Sequence, residues 1–343
     1  MGQTAESGQT APLPTWRPGL TAGIIAGVTT PAISLQRINK RFGKKTAVRD
    51  LDLEVPQGSI YGLIGPNGAG KTTSIRIMLD IIGPDSGSVA VFGSKNIEAE
   101  RGRIGYLPEE RGLYAKMTVI EHLVFFGELR GMKRRVAREE ALKGLEQIGL
   151  AERMNDKVES LSKGMAQKIQ FLATILHKPE LLVLDEPFSG LDPLNVDLFK
   201  GMVLERQRQG ATLLFSTHLI EDAERLCEYV CMIAGASKVL DGRIADVKGA
   251  AGRNEIAISY EGDGAFLEAP GLVDRVADHG QYVEVRLREG ADPQELLRRA
   301  VNGGTRLSRF ELVEPSLREI FIDKATEAGL SPEDASEDQE VAA

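Results

Sequence analysis

The spacing of apolar residues changes several times along the chain, and each spacing predicts a type of secondary structure. Residues 33–38 and 51–55 alternate apolar with polar positions, which is typical of half-exposed antiparallel strands. Residues 60–64 and 181–184 are continuous apolar runs, the pattern of strands covered on both faces in a parallel sheet. We therefore expect an α/β core preceded by an antiparallel subdomain.

From about residue 98 the pattern becomes helical. Segments 117–129 and 138–148 carry apolar residues at helical spacing, with no strand between them. This predicts an inserted helical subdomain over about residues 98–178. A basic run within residues 130–138 fits either a solvated turn between helices or a docking patch, and the solvated turn is the commoner case.

A second pattern of strands and helices follows residue 248. Strands are expected at 255–260, 281–287 and 305–313, and a closing helix at 315–321. Asp292 is placed to cap a further helix, with Pro293 at its first position and Glu295 completing a capping box. These elements predict a small α+β accessory domain over residues 249–326, after a larger α/β domain over 31–248.

Composition sets limits on the partners. The 343 residues, 42% of them hydrophobic, are enough for two packed domains. The net charge of −8 owes much to a tail over residues 327–343, in which Glu333, Asp334, Glu337, Asp338 and Glu340 lie with no basic residue among them. Without that tail the body is only mildly acidic, so no nucleic-acid partner is expected. We expect this tail and the Gly-, Thr- and Pro-containing residues 1–30 to be disordered.

Two further features concern the compartment. Cys227 and Cys231 share one apolar segment without a companion pair at metal-ligand spacing, which favours buried thiols over a redox pair. No apolar run reaches the ~18 residues of a membrane-spanning helix. Residues 19–28 are short and lack a basic flank, so they do not resemble a signal sequence.

A glycine-rich loop at residues 65–73 lies between a predicted strand and a predicted helix, which is the context of a P-loop. The residues expected around the phosphates are Gly65, Pro66, Asn67, Gly68, Ala69, Gly70, Lys71, Thr72 and Thr73. Its small residues let backbone amides converge on phosphate oxygens. Lys71 is expected to reach the β- and γ-phosphates of ATP and Thr72 to bind Mg²⁺. The alternative is an ordinary glycine turn.

Two later strand ends carry candidate catalytic groups. Asp185 and Glu186 end the buried run 181–184, at the carboxyl edge where parallel sheets bind ligands. Asp185 is expected at Mg²⁺ and Glu186 at the water that attacks the γ-phosphate, with structural salt bridges as the alternative. His218 follows another strand, at 211–216, so it is either a γ-phosphate contact or a structural histidine.

Two other positions are compatible with nucleotide binding or with ordinary structure. Ser162 is placed to cap a helix, and Gly164 leaves its first amides accessible to an anion. By itself this is no more than a capped helix start. Phe42 is either a core aromatic or a stacking surface for the adenine ring.

Taken in order, these motifs resemble the nucleotide-binding subunit of an ATP-binding-cassette transporter over about residues 32–246. The matching parts are the P-loop, the signature segment 161–165, the carboxylate strand, the loop 189–192 and His218. The resemblance implies a P-loop NTPase fold, ATP hydrolysis with Mg²⁺, and a head-to-tail homodimer with ATP between P-loop and opposing signature. It also implies that Phe42 stacks on adenine. A separate membrane permease would then hold the chain at the cytoplasmic face of the membrane.

The sequence departs from that family at three positions. Lys163 and Met165 replace a glycine and a glutamine of the signature, whereas Ser162 and Gly164 are kept. Glu109 stands where the family has a glutamine that touches Mg²⁺ and senses the permease. A strand at 103–106 should deliver Glu109 to the P-loop edge, so we expect it near the metal. Facing the permease or pairing with an arginine is the alternative.

The surroundings of Glu109 suggest a branch of the family. Residues 109–114 resemble the branch that works with ABC-2-type permeases, some of them in sodium efflux, and that branch carries a similar C-terminal extension. An exporter is therefore expected. The rivals are a soluble cassette ATPase outside transport and an ATP-dependent switch with almost no turnover. Non-transport members usually have two cassettes or long coiled coils, and this sequence has one cassette without sustained heptads.

Overall fold

The computed structural model describes residues 30–110, 112–189, 191–251, 255–288, 290–313 and 315–330. The side chains of residues 193 and 194 are outside this description. The expected disorder of residues 1–30 and of most of the acidic tail falls outside it as well, apart from residue 30 and residues 327–330. The described chain divides into two compact units, with the first boundary between Asp241 and Gly242. We expected this boundary after residue 248. It lies earlier, near the end of a strand at Arg243 and before a helix that begins at Ile244.

The bounds of the strands and α-helices are as follows, in chain order. The strands are β1 (Ile33–Phe42), β2 (Lys45–Val55), β3 (Ile60–Ile64), β4 (Ser86–Val91), β5 (Ile104–Leu107), β6 (Leu181–Asp185), β7 (Thr212–Thr217), β8 (Tyr229–Ala234), β9 (Ser237–Arg243), β10 (Glu255–Glu261), β11 (Val273–Asp278), β12 (Val283–Leu287) and β13 (Arg306–Val313). The helices are α1 (Lys71–Met78), α2 (Ile97–Glu100), α3 (Val119–Leu129), α4 (Arg134–Gln147), α5 (Lys163–Ile175), α6 (Pro193–Arg208), α7 (Ile220–Leu226), α8 (Ile244–Ala251), α9 (Pro293–Asn302) and α10 (Leu317–Glu327).

A six-stranded sheet in the order β5-β6-β7-β3-β8-β9 forms the centre of the first unit. The pairs β5–β6, β6–β7, β7–β3 and β3–β8 are parallel. Every residue of β3 and β6 is buried, as their continuous apolar runs predict. Because β3, β6 and β7 are neighbours and parallel, their carboxyl ends meet at one edge, and the loops that follow them form the candidate site.

The antiparallel subdomain is confirmed as a three-stranded sheet in the order β2-β1-β4. The insertion packs α3, α4 and α5 around a buried core that includes Leu123, Leu145 and Leu172. A side chain at Gly144 would lie 2.3 Å from Leu172, so α4 and α5 approach closely there. Strand β5 belongs to the central sheet, and so the helical part begins later than residue 98, at the Thr118 cap of α3.

Helix α1 is short, although apolar residues continue as far as Ile82. It ends at Met78, and Asp80 adopts a left-handed φ of 55°. The amides of Ile81 and Ile82 then bond back to the carbonyl of Arg76. This local closure satisfies the last helix carbonyls, and apolar periodicity does not reveal it.

The second unit contains a four-stranded antiparallel sheet in the order β11-β12-β10-β13. The three expected strands are confirmed. Strand β11 was missed because an irregular register between Val273 and Arg275 breaks its alternation. Asp292 caps α9 as expected, but Glu295 forms ion pairs with arginines of its own helix and no reciprocal capping bond joins it to Asp292 in the described contacts.

Candidate functional site

The loop between β3 and α1 has the backbone of a phosphate cradle. Gly70 has a φ of 111°, and a side chain there would lie 2.2 Å from the carbonyl oxygen of Ala47. A side chain at Gly65 would lie 2.1 Å from the carbonyl oxygen of Ile233. Glycine is therefore required at both positions. The loop then enters α1, whose first amides and positive dipole end face the loop.

Lys71 is buried at the start of α1 and joins the loop to a catalytic candidate. Its Nζ donates to the carbonyl oxygen of Gly65 at 2.7 Å and to that of Pro66 at 3.3 Å. The same Nζ lies 3.3 Å from Oε1 of Glu186, an ion pair without hydrogen-bond geometry. The ammonium thus binds loop carbonyls and a carboxylate, and a phosphate would have to replace these contacts.

Asp185 ends β6 almost fully buried, with 1% of its surface exposed. Its Oδ1 accepts hydrogen bonds from the hydroxyl of Ser216 and, at 3.3 Å, from Oγ1 of Thr72. Its Oδ2 is buried without a hydrogen-bond partner. Burying a carboxylate oxygen without a partner costs free energy, and buried charges are usually paired or bound to a metal ion. The Thr72 hydroxyl and the Asp185 carboxylate are both hard oxygen ligands, so this pair fits Mg²⁺.

Glu186 lies between two basic side chains. Its Oε1 faces Lys71, and its Oε2 lies 3.0 Å from Nδ1 of His218. Its backbone takes the left-handed φ of 48°, which is costly for a residue with a side chain and is found mainly where surrounding contacts fix it. Those contacts include hydrogen bonds from the Glu186 amide to the hydroxyl and carbonyl of Ser216. The structure therefore fixes this carboxylate at the sheet edge.

Ser216 is a site residue that the sequence interpretation missed. In the register of β6 and β7 it pairs with Asp185. Its hydroxyl donates to Asp185 and accepts from the amide of Glu186, so one side chain orients both carboxylates. The only signal in the sequence is its place one residue before the end of β7. The contact itself depends on strand order, which the sequence does not give.

The remaining predicted residues lie outside this hydrogen-bonded group. Ser162 is exposed and caps α5 by accepting a hydrogen bond from the Met165 amide at 3.3 Å. A side chain at Gly164 would meet only the Asn195 amide, at 3.7 Å, so packing does not require glycine there. Phe42 is 53% exposed, with Nζ of Lys40 5.6 Å from its ring centre. The core alternative for Phe42 is therefore wrong.

Glu109 is exposed and follows β5 by two residues. Burial raises the pKa of Tyr106 above its ordinary value, and the charges of Asp185 and Glu109 add to this. Both carboxylates therefore act on one phenol. From α5, the Gln170 side chain donates to the carbonyl oxygens of Pro108 at 3.4 Å and Glu110 at 3.2 Å. This second missed residue ties the helix that starts at the signature to the loop that carries Glu109.

Other predictions from the sequence concern cysteine and membrane segments. Cys231 is fully buried and Cys227 partly so, and both are free thiols, as expected. Burial raises the pKa of Cys227 and Cys231 above the ordinary value. Within the described residues, no helix has the length and hydrophobicity needed to cross a bilayer.

Comparison with known proteins identifies the family. A family model described as ABC transporter matches residues 48–189. An uncharacterized ABC transporter ATP-binding protein, YhaQ of Bacillus subtilis (strain 168), is 40% identical over 292 residues, which are 85% of this chain and 98% of the relative. This chain belongs to the ABC transporter ATP-binding family. It is an ATPase subunit, and the P-loop NTPase fold expected from the sequence is confirmed.

Two further likenesses cover different parts of this ABC subunit. A solved ATP-binding subunit of an ABC transporter covers 64% of the chain and 93% of its own length, with 28% identity and a TM-score of 0.61. A second family model, described as the C-terminal domain of DrrA1-3-like ATP-binding proteins, matches residues 242–325. That range corresponds to the second unit. The resemblance of this extension to the ABC-2 branch is confirmed.

A relative with a named role comes from the same family. The Nod factor export ATP-binding protein I of Cupriavidus pinatubonensis (strain JMP 134 / LMG 1197) is 36% identical over 221 residues. The alignment covers 64% of this ABC subunit and 68% of the relative. The rival hypothesis of a cassette ATPase outside transport is not supported, since the first family model, the two relatives and the solved subunit each name an ABC transporter or an export protein.

Proposed function

We propose that this ABC subunit hydrolyses ATP at the sheet edge formed by β3, β6 and β7, with Glu186 accepting the proton of the attacking water. The observation that carries this is the placement of Glu186 between Lys71 and His218, directly after Asp185, whose Oδ2 has no hydrogen-bond partner. A left-handed backbone is costly for a residue with a side chain, and such residues occur often at functional sites. Glu186 is fixed where a parallel sheet presents groups to a ligand.

Binding of ATP would exchange the partners of Lys71. Its ammonium now contacts two carbonyl oxygens and Glu186. Phosphate oxygens carry more charge than carbonyl oxygens, so they would attract the ammonium and leave Oε1 of Glu186 available to a water molecule. His218 would keep Glu186 oriented through Oε2. Thr72 and Asp185 would hold Mg²⁺, which neutralises charge on the phosphates.

The proposal includes a second copy of the chain. The N-terminus of α5, with exposed Ser162 and accessible Gly164, offers amides to an anion. The hydroxyl of Ser162 accepts a hydrogen bond from the Met165 amide of its own helix and does not contact the P-loop in the described hydrogen bonds. A head-to-tail dimer would bring this segment to the γ-phosphate bound by the opposing P-loop. In that arrangement Phe42, exposed at the end of β1, would cover the adenine ring.

The proposed role in transport rests on the family and on the names of relatives rather than on the geometry of the site. The family works with membrane permeases, and the Nod factor relative is an export protein by name. We propose that this subunit drives export through a separate permease and is held by that permease at the cytoplasmic face of the membrane. Glu109, on the loop that Gln170 joins to α5, would lie near the metal rather than face the permease.

Two measurements test this proposal. Purified wild-type chain should hydrolyse Mg²⁺–ATP with multiple turnovers, whereas a low-turnover switch would stop after about one ATP per chain. Light scattering should show that Glu186→Gln doubles in mass with Mg²⁺–ATP. Adding Ser162→Arg should abolish that doubling, and Ser308→Arg, at an exposed serine of the second unit, should not. A monomer in all conditions would contradict the two-chain site.

A further inference from the structure

The second unit contains a group of acidic side chains that are not part of the nucleotide site. Glu255 on β10, Glu284 on β12 and Glu319 on α10 each place a carboxylate oxygen within 4.8 Å of the other two. Two adjacent antiparallel strands and one helix thus contribute to the cluster. Like charges at this separation repel each other, so their convergence needs a compensating charge.

A second observation concerns the hydrogen bonding of the buried Glu255 carboxylate. Only 4% of this residue is exposed, and its Oε2 is buried without a hydrogen-bond partner. Its other oxygen, Oε1, accepts a hydrogen bond from Nε of Arg286 at 2.8 Å. Leaving one carboxylate oxygen buried and unpaired costs free energy that the Arg286 contact does not recover. A bound cation would complete its coordination.

Two basic side chains contact the cluster: Arg286 donates to Glu255, and Nε2 of His279 lies 3.1 Å from Oε2 of Glu284. Arg286 also binds Oδ2 of Asp323 at 3.0 Å, so its guanidinium is shared between Glu255 and a fourth carboxylate. Burial raises the pKa of Glu255 above its ordinary value, and the charges of Glu319 and Glu284 add to this, although the hydrogen bond from Arg286 lowers it. With Asp323, four carboxylates surround one guanidinium and the imidazole of His279 in the described contacts, so the cluster is left negative.

The number, type and spacing of the carboxylate ligands indicate which divalent cation would fit this cluster. Ca²⁺ binds oxygen ligands at about 2.3–2.6 Å, so two ligands on opposite sides of the ion are separated by roughly twice that distance. The oxygens of this cluster lie within 4.8 Å of one another, which is compatible with that span. Mg²⁺ keeps most of its water and is seldom held by ligands from the protein alone, so three converging protein carboxylates favour Ca²⁺.

We propose that Glu255, Glu284 and Glu319 form a binding site for a divalent cation of the Ca²⁺ class in the accessory unit. The ion would connect α10 to strands β10 and β12 through ligands from all three elements. One oxygen of Glu319 also accepts hydrogen bonds from the Ser316 amide and hydroxyl, so the ion would be joined to the capped start of α10. Cation binding would thus stabilise the closing helix on its sheet.

The test is calorimetric titration of the nucleotide-free full-length chain with CaCl₂. Wild type should bind one equivalent, and Glu255→Gln and Glu284→Gln should each weaken binding at least tenfold, because each removes one of three carboxylate ligands. Glu268→Gln is the matched control, since Glu268 is an exposed glutamate of the same unit. It should bind Ca²⁺ as wild type does, and Ca²⁺ should raise the melting temperature of both.

Two results would overturn the proposal. One is the absence of saturable binding at one equivalent, which would mean that a proton on Glu255 relieves the repulsion instead. The other is wild-type binding by Glu284→Gln, which would place the ion elsewhere, for example on the acidic tail. Glu284 is only partly buried, so this variant keeps the test decisive if Glu255→Gln does not fold. Neither substitution touches the residues of the nucleotide site.

Discussion

Ser216→Ala tests whether the Ser216 hydroxyl orients the two carboxylates of the site for catalysis or only stabilises the sheet. The hydroxyl donates to Oδ1 of Asp185 and accepts from the amide of Glu186 at 3.1 Å. The amide keeps the Ser216 carbonyl at 3.2 Å, so the main loss is the hydrogen bond to the charged carboxylate. Such a bond contributes about 1.5–3 kcal/mol.

That loss sets the expected rate effect. If Asp185 must keep its orientation in the transition state, 1.5–3 kcal/mol corresponds to a fall of roughly ten- to a hundredfold in kcat/KM. The assay is steady-state Mg²⁺–ATPase activity, measured with the melting temperature. The control is Ser59→Ala, which removes a buried hydroxyl that donates to the neutral carbonyl of Pro56 at 2.7 Å.

The control should lower the melting temperature slightly and leave kcat/KM unchanged, because Ser59 lies at the other end of β3 from the P-loop. Ser216→Ala should lower both quantities. ATPase activity of Ser216→Ala within twofold of wild type, with a melting temperature like that of Ser59→Ala, would refute the role of this hydroxyl in the site.

Two other substitutions test the loops. Gly70→Ala should lower the melting temperature and abolish ATP binding, because the new side chain would overlap the Ala47 carbonyl. Gly43→Ala is the control: Gly43 has a φ of 58° and open space around it, so the substitution should lower the stability by only about 1 kcal/mol. Equal effects of the two substitutions would contradict this. Glu109→Gln should raise the Mg²⁺ concentration for half-maximal ATPase activity about fivefold, a loss on the order of 1 kcal/mol, without preventing ATP-driven dimerisation. An unchanged Mg²⁺ titration relative to the exposed neighbour control Glu110→Gln would place Glu109 away from the metal.

The sequence was most informative where function depends on a short, continuous segment. The P-loop needs glycine at particular positions within one turn, and the buried run before Asp185 places a carboxylate at a strand end. Both features are local, so spacing alone predicts them. The cap at Ser162 is local as well, and the structure confirms it.

Features that depend on pairing between distant segments could not be read from the sequence. Ser216 reaches Asp185 only because β6 and β7 are neighbours in a defined register. Gln170 reaches the 108–110 loop only because α5 packs beside it. The cluster of Glu255, Glu284 and Glu319 arises from two strands and a helix that are far apart in the chain. In each case the chemistry is set by tertiary structure and not by local spacing.

The ATPase activity of Glu186→Gln tests the central claim most directly. Glutamine keeps the shape of the side chain but cannot accept a proton from water, so kcat should fall by roughly two to four orders of magnitude. Affinity for ATP should stay close to that of wild type, since binding is assigned to the P-loop, Lys71 and Thr72. Glu228→Gln, at a glutamate outside the site, is the matched control and should keep wild-type turnover. Hydrolysis by Glu186→Gln at a rate near that of wild type would contradict the account.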